Sequence, residues 1–209
     1  MTTDIRNIYC IGRNYRLHAL ELGNDVPDSP MVFMKPSHAV VPMNGQTVEL
    51  PAERGEIHFE LEIVLRVGKS YEPGMDADAC VDAMALGLDL TLRDVQSKLK
   101  AKGHPWLDAK GFKNSAPLGE WLAYPGWKAL QDSEFTLVRS GVEAQRGSSK
   151  DMLFHIPQLI EHIAANFGLK EGDLIFTGTP AGVAALQDGD TLEVYWAERN
   201  AGSCTVRLV

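Results

Sequence analysis

The sequence is poor in cysteine and contains no thiolate motif. Its three cysteines, Cys10, Cys80 and Cys204, lie far apart and form no CxxC spacing. This pattern indicates neither a disulfide framework nor a thiolate zinc site. We expect three buried, free thiols.

An excess of basic residues and long apolar runs are also missing. Against 28 Asp and Glu residues there are only 20 Lys and Arg, for a formal net charge of -8, and no basic stripe of the kind that binds nucleic acid is present. No segment approaches the roughly 20 apolar residues of a membrane span. Residues 1–6 carry two charges and no apolar stretch typical of a targeting signal. We therefore expect a cytoplasmic protein whose partners are small molecules.

The chain is rich in short strand patterns. At 209 residues it is long enough to bury one substantial core, and no repeat or linker divides it, so we expect one domain over residues 1–209. Strands are predicted at residues 5–11, 31–34, 39–41, 47–50, 57–67, 83–92, 135–139, 173–177, 191–196 and 204–209.

Helical spacing is confined to three segments, residues 14–22, 92–102 and 156–167. Thr91 and Asp94 resemble a capping box at the start of the second helix. Residues 104–127 have no long periodic run and are predicted to be loops. Many strands with few helices favour an α+β fold over a doubly wound parallel sheet.

Two acidic side chains lie on one side of the strand predicted at residues 57–67. Side chains alternate between the faces of a strand, so Glu60 and Glu62 share a face with His58 while the apolar residues face the core. Such carboxylates are about 6 to 7 Å apart along the strand and can tilt toward one ion whose oxygen bonds are about 2.1 Å long. For an isolated E-x-E pattern, a half-exposed strand with a solvated acidic face is the simpler explanation.

The strand predicted at residues 83–92 favours the metal hypothesis. Four leucines at alternating positions share one face, so Asp89 projects from the other face of an otherwise apolar stretch. A buried carboxylate must be paired, protonated or bound to a metal. Because no thiolates or clustered histidines accompany Glu60, Glu62 and Asp89, these three residues are predicted to hold a hard cation, Mg²⁺ or Mn²⁺.

Several sequence blocks follow one another in a characteristic order. The blocks are Gly12-Arg13-Asn14-Tyr15, Phe33-Met34-Lys35-Pro36, Phe59-Glu60-Leu61-Glu62, Gly87-Leu88-Asp89-Leu90-Thr91-Leu92-Arg93-Asp94-Val95-Gln96, Gly103-His104-Pro105-Trp106, Ala109-Lys110-Gly111-Phe112 and Gly178-Thr179-Pro180-Ala181-Gly182. Together they resemble the fumarylacetoacetate hydrolase family, and specifically its short branch that includes acylpyruvate hydrolase and oxaloacetate decarboxylase. The resemblance covers nearly the whole chain.

The resemblance implies a mixed β-sheet roll, a homodimer, a helical lid near residues 14–24 and a metal held by Glu60, Glu62 and Asp89. It places Arg93 and Gln96 near the ion. Lys110 would lie near the substrate's ketone or enolate oxygen.

The resemblance also implies substrate contacts. The Gly178-Thr179 turn would offer N–H groups and a hydroxyl to a substrate carboxylate. Arg13 and Lys35 are further substrate-binding candidates, for which ordinary surface or ion-pair roles remain open.

The predicted early helix carries a candidate base. His18 and Glu21 lie three residues apart and share a helix face, where the carboxylate can orient the imidazole and raise its basicity toward water. In the family such a pair lies on the lid, although an exposed polar pair is the alternative reading of the residues alone.

Three functions remain at this stage. A base for water favours metal-dependent hydrolysis of the carbon–carbon bond of a 2,4-diketo acid, an acylpyruvate or fumarylpyruvate, with release of pyruvate. Oxaloacetate decarboxylation and keto–enol tautomerisation need the same electrophilic site. A non-catalytic metal- or ligand-binding module is the hypothesis of another class.

Overall fold

The computed structural model describes residues 5–23 and 25–209. The predicted lid, residues 14–24, includes Asn24, which lies outside the described residues. Within the described part there are five α-helices, Arg16–Glu21 (α1), Arg93–Ala101 (α2), Leu107–Lys110 (α3), Trp127–Leu130 (α4) and Ile156–Asn166 (α5).

The strands are numerous and mostly short. They are Ile8–Gly12 (β1), Met31–Lys35 (β2), Val40–Pro42 (β3), Asn44–Leu50 (β4), Ile57–Phe59 (β5), Leu61–Val67 (β6), Val81–Leu88 (β7), Thr91–Leu92 (β8), Ala116–Leu118 (β9), Glu134–Arg139 (β10), Val142–Ser148 (β11), Leu174–Phe176 (β12), Ala184–Ala185 (β13), Thr191–Trp196 (β14) and Arg199–Leu208 (β15).

These strands form three sheets. The largest has seven strands in the order β2-β1-β12-β6-β7-β9-β3, the second has the order β11-β10-β14-β15-β4, and a small one has the order β13-β5-β8. Parallel and antiparallel pairs occur together, since β1 runs parallel to β12 and β12 antiparallel to β6. The mixed sheets with few helices confirm the α+β prediction.

The centre of the seven-stranded sheet is buried on both faces. Leu61 and Ile63 of β6 belong to the main apolar core, whereas Val64 of the same strand packs in a second apolar cluster on the other face with Ala85 and Phe176. Alternation is therefore as predicted, but the acidic face is covered. Glu62 lies on that covered face and is 2% exposed.

Each of the two predicted acidic strands is interrupted at a carboxylate. Glu60 separates β5 from β6, and Asp89 follows the end of β7. The two breaks lie side by side because the Asp89 N–H donates to the Glu60 carbonyl over 2.8 Å. Both side chains are thereby directed out of the regular ladder toward one place.

The predicted capping box does not form. Helix α2 begins after Leu92 with no side-chain cap, and Asp94 instead accepts the Glu56 N–H over 3.1 Å. The Thr91 hydroxyl donates to the Asp89 carbonyl. The Asp94 side chain is used in a tertiary contact and the Thr91 side chain in a local turn, and neither caps the helix. The capping-box prediction was therefore wrong.

The loop prediction for residues 104–127 was also incomplete, because α3 and β9 lie in this segment. Strand β11, later in the chain, was not predicted at all. Helix α5, which forms within the predicted segment, has Pro157 in its first turn, and Gly168 after its end has φ 82°. The three cysteines are free and buried. No helix in the described ranges is long and apolar enough to cross a membrane.

Candidate metal and substrate site

Three buried carboxylates converge at the adjacent strand breaks. Glu60, Glu62 and Asp89 each place an oxygen within 4.8 Å of the other two. Glu62 is on β6, opposite Gly87 of β7, where a side chain would come within 2.8 Å of Val64. Packing against Val64 and Phe176 therefore requires a glycine opposite Glu62. The predicted ligand set forms one cluster.

Two of these carboxylates have cationic partners. Lys110 Nζ lies 2.8 Å from Glu60 Oε2 and 2.6 Å from Asp89 Oδ2. The Arg93 guanidinium also pairs with Glu60, and Lys35 Nζ lies 2.7 Å from Asp89 Oδ1. Lys110 and Arg93 outweigh the effect of burial and hold the pKa of Glu60 well below its ordinary value.

Glu62 is different, because no lysine or arginine of the described residues lies within ion-pair distance of it. Its Oε2 accepts the Gly178 N–H over 2.7 Å. Burial, with the charges of Asp89 and Glu60, raises the pKa of Glu62 well above its ordinary value. A buried carboxylate next to two others requires a cation or a proton.

The donor set fits a hard divalent cation. Asp89 Oδ1 is buried and accepts no hydrogen bond from the described residues, although the Lys35 ammonium is close to it. The cluster offers only carboxylate oxygens, which Mg²⁺ and Mn²⁺ prefer. Glu60, Glu62 and Asp89 are therefore suited to hold such an ion.

Lys110 lies among the carboxylates. All three of its ammonium hydrogens are directed at oxygens, since Thr91 Oγ1 is a third partner at 2.6 Å. Asp89 and Glu60 more than offset the effect of burial and raise the pKa of Lys110, so it remains an ammonium. The resemblance implied that Lys110 lies near a substrate oxygen, and in the structure Lys110 lines the cleft described next.

A cleft opens over the triad and brings several predicted residues together. Arg13, His18, Arg93, Gln96 and Thr179 all line it. Gln96 Oε1 accepts a hydrogen bond from Arg93 over 2.7 Å, which leaves the Gln96 amide hydrogens for the cleft. Arg13 has φ 58°, a conformation that is strained for a non-glycine residue and is typical of functional sites.

The candidate base borders this cleft. His18 Nδ1 lies 3.5 Å from Glu21 Oε2, which is longer than a hydrogen bond, and both Glu21 oxygens accept the Gly182 N–H over 3.1 and 3.2 Å. Burial lowers the pKa of His18, and Arg93 and Lys110 add to this against the opposing charge of Glu60. The imidazole is therefore neutral at pH 7, as a base must be.

Two predicted substrate residues lie behind the cleft. Lys35 is 2% exposed and donates to the Leu90 carbonyl and Ser115 Oγ, both over 3.1 Å, and to the Lys110 carbonyl. The Gly178 N–H is used by Glu62. Both groups orient residues of the site, and neither reaches the cleft lining.

Some site residues were not predicted. Phe33, Lys100 and Trp106 also line the cleft; Phe33 and Trp106 were within matching blocks but carried no polar signal. Gln145 contacts Thr179 from β11. A single glutamine in a short strand gives no local indication of such a role.

The chain is similar to known proteins in sequence and in fold. The family model of the fumarylacetoacetate (FAA) hydrolase C-terminal domain matches residues 7–209. The oxaloacetate tautomerase YcgM of Escherichia coli (strain K12) is 36% identical over 193 residues, which cover 91% of this chain and 88% of that protein. A mitochondrial oxaloacetate decarboxylase of Dictyostelium discoideum is 36% identical over 193 residues, covering 90% of this chain and 87% of that protein.

One similar solved structure contains a metal ion and a ligand. The fumarylpyruvate hydrolase of Pseudomonas aeruginosa, crystallised in complex with Mn²⁺ and pyruvate, superposes with a TM-score of 0.91 at 32% identity, over 100% of this chain and 92% of that chain. Taken with the buried carboxylate triad, the matches establish that this chain belongs to the fumarylacetoacetate hydrolase family.

Proposed function

We propose that this protein is a divalent-metal-dependent enzyme that hydrolyses the carbon–carbon bond of an acylpyruvate and releases pyruvate. The observation that carries the proposal is the position of His18, a neutral buried imidazole, on the same cleft as the carboxylate triad. Hydrolysis needs both a base for water and an electrophilic site for the keto acid.

The residues that hold the ion are Glu60, Glu62 and Asp89. A bound Mg²⁺ or Mn²⁺ would supply Lewis acidity toward the keto acid. Arg93 fixes Glu60, and the Gly178 N–H fixes Glu62, so the ligands are held in place before any substrate arrives.

The cleft residues divide the remaining tasks. Arg13 and Thr179 bind the substrate carboxylate, because they offer a guanidinium and a hydroxyl on the cleft wall. Lys110 stabilises negative charge that develops on the leaving pyruvate fragment, since its ammonium is preorganised and buried. His18 removes the proton from the attacking water, and Glu21 stabilises the imidazolium that results. The imidazolium then returns this proton to the carbon that leaves with the pyruvate fragment, so that water is divided between the two products.

Oxaloacetate tautomerisation or decarboxylation is the second candidate. The names of the two relatives, an oxaloacetate tautomerase and an oxaloacetate decarboxylase, favour it. Tautomerisation needs only proton transfer beside the same electrophilic site, and decarboxylation needs no base for water.

Two variants distinguish hydrolysis from decarboxylation. His18→Ala and Glu21→Ala should each slow acetylpyruvate hydrolysis by about 10²- to 10⁴-fold, the usual range for general base catalysis, while oxaloacetate decarboxylation falls far less. The double variant should be little slower than His18→Ala, because residues that act as one unit give non-additive losses. The measurement is kcat/KM for both substrates at saturating Mg²⁺. An equal fall for both substrates would show that His18 does not act on water.

We also propose that the chain functions as a cytoplasmic homodimer. Analytical ultracentrifugation of the purified protein tests the oligomeric state, and a monomer at micromolar concentration would contradict it.

A further inference from the structure

Gln145 is a buried amide with three hydrogen bonds. It lies on β11, is 2% exposed, and its Oε1 accepts the Leu61 N–H over 2.9 Å. Its Nε2 donates to Thr179 Oγ1 over 2.9 Å and to the Pro180 carbonyl over 3.0 Å. One side chain thereby joins the metal-ligand strand β6 to the turn that borders the cleft.

The orientation of this amide is fixed by its partners. A backbone N–H can only donate, so the atom facing Leu61 must be the carbonyl oxygen; a proline carbonyl can only accept, so the atom facing Pro180 must be the NH₂ group. The same NH₂ group faces Thr179, and the Thr179 hydroxyl must therefore accept its hydrogen bond.

The hydroxyl hydrogen of Thr179 is consequently directed elsewhere. A threonine hydroxyl has one hydrogen to donate, and among the residues that the structure describes none accepts it. Thr179 lines the cleft over the triad. The hydroxyl is left as a hydrogen-bond donor for an acceptor oxygen of a molecule that enters the cleft.

A bulge in the sheet places Gln145 at this position. The register of β10 against β11 shifts after Leu137, which pairs with Gln145, and such bulges re-aim side chains next to active sites. The turn that Gln145 holds also carries Gly182, whose N–H binds Glu21. Gly182 has φ 101°, and a side chain there would lie 2.6 Å from the Ala144 carbonyl.

We propose that Gln145 is a positioning residue that makes the Thr179 hydroxyl a donor to the carboxylate of a bound 2-keto acid. The inference rests on the proposed function, since it takes a keto acid as the occupant of the cleft. It adds a specificity element that favours a hydrogen-bond acceptor at this point of the cleft, because the Gln145 N–H occupies a lone pair of the Thr179 hydroxyl and leaves its hydrogen for the occupant.

The sharpest variant is Gln145→Glu. Its carboxylate keeps the shape and still accepts the Leu61 N–H, but it presents an acceptor to Thr179, whose hydroxyl then turns toward residue 145. Pyruvate binding in the presence of saturating Mn²⁺, measured by calorimetry, should weaken by about 10- to 100-fold, the range for a lost hydrogen bond to a charged group. The affinity for Mn²⁺ alone should not fall, since no metal ligand is lost.

Companion variants isolate the mechanism. Thr179→Val should weaken pyruvate binding to a similar extent, Thr179→Ser should retain it, and the double variant Gln145→Glu/Thr179→Val should be no weaker than Thr179→Val. Gln46→Glu is the matched control, since Gln46 also donates to a proline carbonyl, that of Pro42, but at an exposed position outside the cleft.

The outcomes separate the two proposals. Wild type that binds Mn²⁺ but no pyruvate would overturn the proposed function together with this inference. Wild-type binding with an equal affinity in Gln145→Glu, or additive losses in the double variant, would overturn the role of Gln145 alone. If Gln145→Glu does not fold, Gln145→Met takes its place, because it removes the N–H donor to Thr179 without adding a charge, and pyruvate affinity equal to wild type in that variant would overturn the role of Gln145.

Discussion

Replacing Glu62 by Gln should have opposite effects on the metal-free and the metal-loaded protein. Glu62 is the triad carboxylate without a cationic partner in the described part of the chain, and Glu60 and Asp89 lie within 4.8 Å of it. Gln keeps the shape and an oxygen for the Gly178 N–H, and it removes a buried group that must be neutralised by a proton or a cation. It also removes one of the anionic ligands on which a divalent ion depends.

The expected magnitudes follow from burial and linkage. Without a metal, a carboxyl at this position must take up a proton or stay unpaired, and removing that cost should stabilise the metal-free protein by about 1–3 kcal/mol. For a chain of this length that is a rise in Tm of roughly 2–12 °C, at about 2–4 °C per kcal/mol. A wild-type protein at 100 times its metal Kd gains about 2.7 kcal/mol, or roughly 5–11 °C, and Glu62→Gln should lose most of that gain.

The assay is thermal denaturation of wild type and Glu62→Gln, after chelation and with excess Mn²⁺. Glu53→Gln is the control, because it removes the same charge from an exposed position outside the site. If metal-free Glu62→Gln melts below wild type and still gains the full metal shift, the charge argument for the triad is refuted.

Three further results are expected. Lys35→Met should destabilise the metal-free protein by about 3–5 kcal/mol, because it breaks a buried pair with Asp89, and Mn²⁺ should recover part of the loss in a melting experiment. The rate of hydrolysis should fall toward acid pH, because protonated His18 cannot accept the proton of water. The midpoint should lie below 6.5, the ordinary pKa of histidine, because burial lowers the pKa of His18. A midpoint above 6.5 in a pH–kcat/KM profile would contradict this role. Lys110→Ala should lower kcat for every keto-acid substrate, and unchanged kcat in steady-state assays would remove Lys110 from the mechanism.

The carboxylate triad was predictable because its signal is local. Glu60 and Glu62 share a strand face, and Asp89 interrupts an apolar stretch, so alternation and composition alone indicated them. The family resemblance then brought the two segments together. Sequence periodicity does not show that both strands break at the carboxylates, because the break depends on the hydrogen bond between Asp89 and the Glu60 carbonyl.

Long-range contacts account for most of what was missed. Gln145 reaches Leu61 across 84 residues and Thr179 across 34, and no pattern around residue 145 encodes either partner. Lys35 had a basic side chain in a matching block, which made a substrate contact a natural prediction. Its burial against Asp89 is decided by packing of β2 and α3, which local propensity does not describe.

The central claim is that a divalent ion held by the triad is required for hydrolysis. The most direct test measures pyruvate release from acetylpyruvate by exhaustively chelated protein, before and during titration with Mn²⁺ or Mg²⁺. The account predicts that the stripped protein is inactive and that activity returns to saturation with one ion per chain at the triad. It also predicts that Asp89→Asn treated in the same way does not recover at those metal concentrations. Undiminished pyruvate release by the stripped wild-type protein would contradict the account.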